Sequence, residues 1–355
     1  MKHILLTLIA AASINTLSFA QEIDFFTPET RLGGYGELHY NYDKPEGGES
    51  TEILDFHRFV LFISHGFSEK WSFKSEVEIE HNYVKDGQGE VSLEQAYIDY
   101  HYADEIGFQA GVLLVSSGLI NENHEPTLFL SVERPDYHRN IIPTTWFGNG
   151  AAIYGKISNI EYKFNVMEGL ISDKFSPSSG IRSGRQKGYK ANAENLLYNL
   201  RVDFVSAKGL RAGGSFTYNE ATGDTSTNAI NLLEFHLKYN YKGLYTVAEY
   251  GMIGYDNGPV ETSRGYYFDL GYNIGRFFDF KSEIIPWFRY SNYNTASSVR
   301  GNAFDEELYN VNKWLVGLAV KPNHNVILKF DYGKMERTFS ESKTDVMNIG
   351  VGYMF

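Results

Sequence analysis

Side chains able to do chemistry are spread along this 355-residue chain without forming a familiar catalytic frame. His57, His81, His101 and His236 all fall in segments that read as strands, and no G-x-S-x-G turn accompanies them. Serine hydrolysis needs Ser, His and an orienting Asn or Asp within hydrogen-bond reach. Without that frame the expectation is a protein that is not an enzyme and uses no cofactor. Thiolate metal sites are excluded because there is no Cys. The tightest imidazole–carboxylate grouping is Glu122, His124 and Glu125; Glu76, Glu78 and Glu80 present three carboxylates on one strand face. Such oxygens suit Ca²⁺, but they suit a wetted wall equally well, and no metal site is expected. What these charges can do is shape the field of a water-filled passage.

Such side chains need a scaffold, and the dominant pattern is a period of two. In 71–83, Trp71, Phe73, Val77, Ile79 and Tyr83 share one parity, and Lys74, Glu76, Glu78 and Glu80 the other. In 195–206, Tyr198, Leu200, Val202 and Phe204 oppose Asn199, Arg201 and Asp203. In 229–240, Leu233, Phe235, Leu237 and Tyr239 oppose Glu234, His236, Lys238 and Asn240. Successive strand residues point to opposite faces, so each segment has one greasy and one polar side. Segment 53–64 breaks the rule: Asp55 and His57 share parity with Phe59 and Leu61, whereas Arg58 shares it with Phe56, Val60 and Phe62. A bulge there would re-aim the side chains. The last segment, 345–355, places Met347, Ile349, Val351, Tyr353 and Phe355 on one face, with Asn348, Gly350 and Gly352 between them. A strand of about ten residues ending on an aromatic suits a tilted membrane-crossing strand. Taken alone, it fits the edge of a soluble sandwich as well.

Composition separates those two readings. Residues 1–20 have a basic start (Lys2, His3), a short apolar core and Ser18-Phe19-Ala20 before Gln21, the pattern of an export signal cleaved near Ala20. Nothing after it offers about 18 uninterrupted apolar residues, so helical spans are not expected. The chain has 26 Tyr, 25 Phe and 34 Gly, yet its mean hydropathy is negative. Alternating lipid-facing and water-facing positions produce that combination. A net charge of −12 argues against nucleic acid or anionic lipid as the main partner.

The connections then decide the architecture. After a short lead, 21–30, sixteen alternating segments run from 31–42 to 345–355. Tight turns such as Ser158-Asn159, Ala207-Lys208-Gly209 and Tyr241-Lys242-Gly243 follow the even segments, and longer polar stretches follow the odd ones. A soluble sandwich has no reason to keep that order over eight hairpins. The expected fold is all-β: a transmembrane antiparallel up-and-down β-barrel of about 16 strands spanning 31–355, with short periplasmic turns and long extracellular loops. Sixteen strands enclose an aqueous channel, whereas about eight can be filled by side chains.

Candidate wall and constriction residues follow from parity: Glu37, Lys74, Glu76, Glu78, Glu80, Arg201, Lys238 and Arg289 face inward and are expected to line water. The longest loop, 117–145, adds Glu125, Glu133, Arg134 and Arg139, mixed with Leu128, Phe129, Leu130, Ile141 and Ile142. It either folds inward to narrow the channel or packs at the mouth with its charges solvated. Loop 172–194 carries Lys174, Arg182, Arg185 and Lys187, a basic run that either attracts anionic solutes or lipopolysaccharide phosphates or stays a solvated surface loop.

The run Gly33-Gly34-Tyr35-Gly36-Glu37-Leu38-His39-Tyr40-Asn41-Tyr42 resembles the opening strand of bacterial outer-membrane porins. Phe108-Gln109-Ala110-Gly111-Val112-Leu113-Leu114-Val115, followed by Asn123-His124-Glu125-Pro126 and Ser131-Val132-Glu133-Arg134-Pro135, is similar to the phosphate-selective porin O and P type. The resemblance implies a sixteen-stranded, trimeric diffusion channel with inward-folded loops. In phosphate-selective members it also implies ladders of Arg and clusters of Lys along the pore. Here the inward charges alternate in sign, so phosphate selectivity is not carried over. The expected function is a passive channel for small hydrophilic solutes or ions in the outer membrane of a Gram-negative-type bacterium. A channel specific for an anion such as phosphate is the alternative, and a hydrophobic-substrate transporter is a weaker one, since the lead is too brief for a hatch. Expected partners are outer-membrane lipid, lipopolysaccharide, further copies of the chain and, through the strand ending at Phe355, the barrel-assembly machinery.

Overall fold

The structure is a computed structural model that describes residues 27–85, 87–278 and 280–355; the expected export signal and most of the short lead lie outside the described residues. Sixteen antiparallel strands close on themselves in chain order, the first pairing with the last. They are β1 Thr30–Pro45, β2 Thr51–Gly66, β3 Trp71–Lys85, β4 Gln88–Ala103, β5 Ile106–Leu114, β6 Phe147–Ile157, β7 Ile160–Met167 and β8 Leu197–Val205. The second half comprises β9 Leu210–Thr222, β10 Thr227–Tyr241, β11 Leu244–Tyr255, β12 Val260–Tyr272, β13 Glu283–Val299, β14 Asn310–Asn323, β15 Val326–Arg337 and β16 Ser342–Met354. Each expected segment corresponds to one strand. At the seam, Gly34 and Phe355 exchange backbone hydrogen bonds of 3.0 Å in both directions.

Faces follow parity. Along β8, Tyr198, Leu200, Val202 and Phe204 are exposed on the outside, while Asn199, Arg201 and Asp203 are buried within. Along β10, Leu233, Phe235 and Leu237 face out, and Glu234 and His236 face in. A charge at mid-depth on the lipid face costs about 2–4 kcal/mol, which holds the register against a one-residue slip. Phe67, Trp71, Tyr102, Phe277 and Phe278 are exposed at the short-turn end, where amphipathic or aromatic rings form an interfacial girdle.

Two boundary expectations change. The stretches 84–90, 220–228, 256–263 and 336–344 are about half or more strand, with shorter connections than expected, because hairpins continue past the membrane wherever backbone partners remain available. Segment 278–290 begins instead at Glu283 and runs on to Val299, because Ile274–Phe277 forms a 3₁₀ turn capped by the Asn273 side chain. The long connections that remain include 115–146 and 168–196.

Candidate functional site

The loop 115–146 lies inside the barrel. Its regular structure amounts to a 3₁₀ turn at Pro126–Leu128 and a four-residue helix, Tyr137–Asn140. It is held by burial. Leu119, Phe129, Leu130, Val132, Tyr137, Ile141, Ile142 and Trp146 are all buried, many of them in one cluster with inward wall residues such as Leu232, Ile253, Ile285 and Trp287. Fully burying one such side chain is worth about 1.5–3 kcal/mol. The wall is cut back to receive them. A Cβ at Gly352 would stand 2.5 Å from Pro126 Cβ, and one at Gly251 would stand 2.5 Å from the Tyr137 hydroxyl. This accounts for the small residues on the inner face of β16. It also corrects the expectation that the inward face simply lines water: part of the lumen is a dry core.

Polar anchors tie the loop to the wall on nearly every side. His124 Nε2 lies 3.1 Å from Glu76 on β3 and 3.4 Å from Glu94 on β4. Glu122 accepts from Lys163 on β7 at 2.9 Å and from Arg201 on β8 at 3.3 Å. The Leu119 backbone N–H (2.9 Å) and His138 Nε2 (2.7 Å) both reach the Glu249 carboxylate on β11. Arg289 on β13 grips Asp269 on β12 with two bonds of 2.6 and 2.7 Å and donates a third, at 2.7 Å, to Ser131. Lys313 on β14 pairs with Asp136 at 3.2 Å, and Asp331 on β15 accepts the Val132 N–H at 2.8 Å. Glu133 closes the circle on β1, bonding His39 and Asn41 at 2.9 Å each.

These anchors set the loop's protonation. Burial disfavours the charged form of His124, but Glu76 and Glu94 outweigh it and push the imidazole up to about 10. Burial likewise opposes ionisation of Glu122 and Glu133, yet Lys163 and Arg201 on the one and His39 on the other hold both below the usual carboxylate range.

The sequence-derived wall residues sort into groups. Glu37, Glu76, Glu78, Arg201 and Arg289 are buried, and Arg58 joins two of them, at 2.7 Å to Glu37 and 3.1 Å to Glu78. Their charges are spent on one another and on the loop, not on open water, which corrects their expected role. Glu80 and Glu125 are half-buried, and Lys74 and Arg139 are exposed. Arg134 stays within the loop, donating to Thr145 Oγ1 at 3.3 Å and to the His124 carbonyl at 3.4 Å. The basic loop is neither simply solvated nor a free cationic patch. Arg182 donates to the Thr144 carbonyl at 2.7 Å, and Arg185 to the carbonyls of Pro143 (2.7 Å) and Thr145, so the second loop clamps the end of the first. Burial, reinforced by Arg185 and Arg139, lowers Arg182 to about 9. Lys187 pairs with Glu90 at 2.6 Å, and Lys174 is exposed.

Two recesses flank the docked loop toward the short turns. One, of 610 Å³, has mixed charges including Glu161, Lys163, Arg201, Asp203 and Arg211. The other, of 320 Å³, is lined by Lys238, Lys242, Arg276 and Lys321, with Glu283 as its acid. Lys238 is the one sequence-derived wall residue that lines this basic recess.

The family model for phosphate-selective porin O and P matches residues 33–243. The chain belongs to that family. An uncharacterized protein of Aquifex aeolicus (strain VF5) is 33% identical over 350 residues, covering 91% of this chain and 79% of that protein. Among solved structures, this porin is similar in fold to an anion-selective porin from Comamonas acidovorans (12% identity, TM-score 0.63, 93% of this chain and 100% of that one). It is also similar to OmpF of Salmonella typhi in complex with daunomycin (13%, TM-score 0.62, 92% and 97%) and to a trimer form of Vibrio cholerae OmpT (11%, TM-score 0.56, 93% and 100%). The protein is an outer-membrane channel narrowed by its own inward-folded loop.

Sequence reasoning missed much of what holds this porin's loop. Glu94 is the extra residue of a bulge between the Glu76–Gln95 and Val77–Leu93 pairs, so parity could not place it. Glu249 and Asp331 do have inward parity, but nothing in the sequence marks them as the loop's partners.

Proposed function

We propose that small hydrophilic solutes and ions cross by passive diffusion past the docked loop, and that the loop, rather than the strand count, sets the size limit. The observation carrying this reading is the ring of anchors from β1 round to β15, which keeps the loop in the lumen. The chain acts after removal of its export signal near Ala20. It sits in the outer membrane with its apolar face and aromatic girdle against lipid and lipopolysaccharide. Assembly proceeds through recognition of the strand ending at Phe355 by the barrel-assembly machinery. Trimerisation is supported by the trimer form of the Vibrio protein.

A second reading, preference for an anion such as phosphate, is favoured by the family and by the recess of Lys238, Lys242, Arg276 and Lys321. Among the described residues that line it, four cations against one acid concentrate anions at the short-turn mouth. Planar-bilayer recording tests both readings. Folded porin should pass ion current, and a salt gradient should give a reversal potential displaced toward the anion value. Lys238→Glu with Lys321→Glu should move that potential toward cations. Folded protein with no current defeats the diffusion reading, and an unmoved potential defeats the anion reading.

A further inference from the structure

A second cluster of imidazoles adjoins the loop's His39–Glu133 anchor, on the inner wall of β2 and β3 toward the long loops. Asp55, His57 and His81 meet there. His57 Nδ1 lies 3.1 Å from Asp55 Oδ2, His81 Nδ1 lies 2.8 Å from the same oxygen, and one ligand atom from each residue falls within 4.8 Å of the others.

Neither histidine would be there in an unbroken strand. His57 is the extra residue where pairing jumps from Glu37–Arg58 to Leu38–Phe56. His81 has φ of 56°, in the left-handed region, where the β3–β4 register jumps from Glu80–Glu90 to Lys85–Gln88. A non-glycine residue in that conformation costs about 1–3 kcal/mol and persists only where its surroundings impose it. Bulges that re-aim side chains are over-represented beside functional sites.

The chemistry is that of a borderline divalent cation. Two imidazoles and one carboxylate form a nitrogen-rich set that favours zinc-like ions over Ca²⁺ or Mg²⁺, which take oxygen. Zinc bound at about 2.0–2.1 Å to each ligand in a tetrahedron sets the ligand atoms ~3.3 Å apart. The two contacts to Asp55 therefore need to open by only a few tenths of an ångström, and the two imidazole nitrogens already lie within 4.8 Å of each other. Access is available too: the side chains of Asp55, His57 and His81 are 21, 22 and 44% exposed. By contrast, the Glu76–Glu94–His124 group is only 2–3% exposed and already serves to hold the loop. Behind the open site, the His39 ring stacks on His57 at 4.8 Å and bonds Glu133 of the loop, giving the ligands a supporting shell.

We propose that Asp55, His57 and His81 form a binding site for a divalent transition cation of the zinc type, open to the lumen, with a fourth position left for water. A cation held there adds positive charge beside Glu133 of the loop and reduces cation current through the channel.

The test uses folded porin in detergent, stripped with chelator and titrated with Zn²⁺ against a chromophoric zinc indicator. One Zn²⁺ per barrel should bind and should resist displacement by millimolar Mg²⁺ or Ca²⁺. His57→Ala and His81→Ala should each weaken binding by more than the ~10–100-fold that changes outside the ligand shell cost. Exposed His324→Ala should leave it unchanged. Heat-modifiable migration on gels shows that each variant has folded, and Asp55→Asn, which keeps the side chain's shape, covers any histidine variant that has not. No saturable Zn²⁺ binding, or binding unaltered in these variants, overturns the proposal. Because the readout is binding, it stands apart from whether the channel conducts; Zn²⁺ added from the long-loop side in bilayers should then lower the current.

Discussion

Replacing Glu249 with Ala should release the loop from the lumen. Its fully buried carboxylate accepts from Leu119 N–H at 2.9 Å and from His138 at 2.7 Å, near the two ends of the loop, and also from Tyr267 on the neighbouring strand. Hydrogen bonds to a charged group are each worth about 1.5–3 kcal/mol. Two of the three belong to the loop, so docking should weaken by about 3–6 kcal/mol. At 1.4 kcal/mol per tenfold, that is a shift of roughly 10²–10⁴ in the docked-to-undocked ratio. Sixteen strands about 4.8 Å apart and tilted by ~40° make a wall about 32 Å across, so a barrel without its loop is far wider than one with it. Single-channel records of Glu249→Ala should show a larger, noisier conductance than wild type, with intervals several-fold above the wild-type level. His138→Ala should give a milder version of the same change, and the double variant less than the sum, since the two side chains share one bond. A folded Glu249→Ala barrel whose conductance and noise match wild type would falsify the claim that this carboxylate holds the loop.

Two further outcomes follow from the same structure. Glu122 and Glu133 titrate below the ordinary carboxylate value when docked, so their contribution is complete above about pH 4.5 and is lost as pH falls through their lowered values. His124 is raised to about 10, so its contribution is complete below about 6.5 and is lost as pH rises through 10. Current noise should therefore be lowest between about pH 4.5 and 6.5 and rise on both sides, progressively toward pH 10 on the alkaline one; a flat profile from pH 3 to 10 would contradict these assignments. On the outer face, Phe330→Arg should cost about 2–4 kcal/mol, read as a lower urea midpoint in lipid vesicles, because Phe330 is exposed to lipid midway along β15. No change in the midpoint would mean that this face does not meet acyl chains.

The barrel was legible because lipid on one side and polar side chains on the other impose a two-residue rhythm that survives in sequence. Tyr198 to Phe204 and Leu233 to Leu237 lie where that rhythm puts them. The loop residues Glu122, His124, Glu133 and Arg134 stood out because charge mixed with Leu, Phe and Ile is not what a solvated loop carries. Less could be read where a strand breaks step. His57, His81 and Glu94 each sit at a bulge, where one added residue or a left-handed backbone turns the wrong parity inward. Pairings such as Arg289–Ser131 or Glu249–His138 join positions more than 100 residues apart, and only the closed topology brings them together. The basic loop misled for a similar reason: the acceptors for Arg182 and Arg185 are backbone carbonyls, which no side-chain pattern announces.

A hollow tube squeezed from the side flattens into an oval, and the membrane around this one presses laterally. Struts from the interior to β1, β3, β4, β7, β8, β11, β13, β14 and β15 act like the spokes of a wheel, so that denting one arc of the rim must compress or stretch the hub. The roundness of the cross-section is thus maintained from its centre as well as from its circumference.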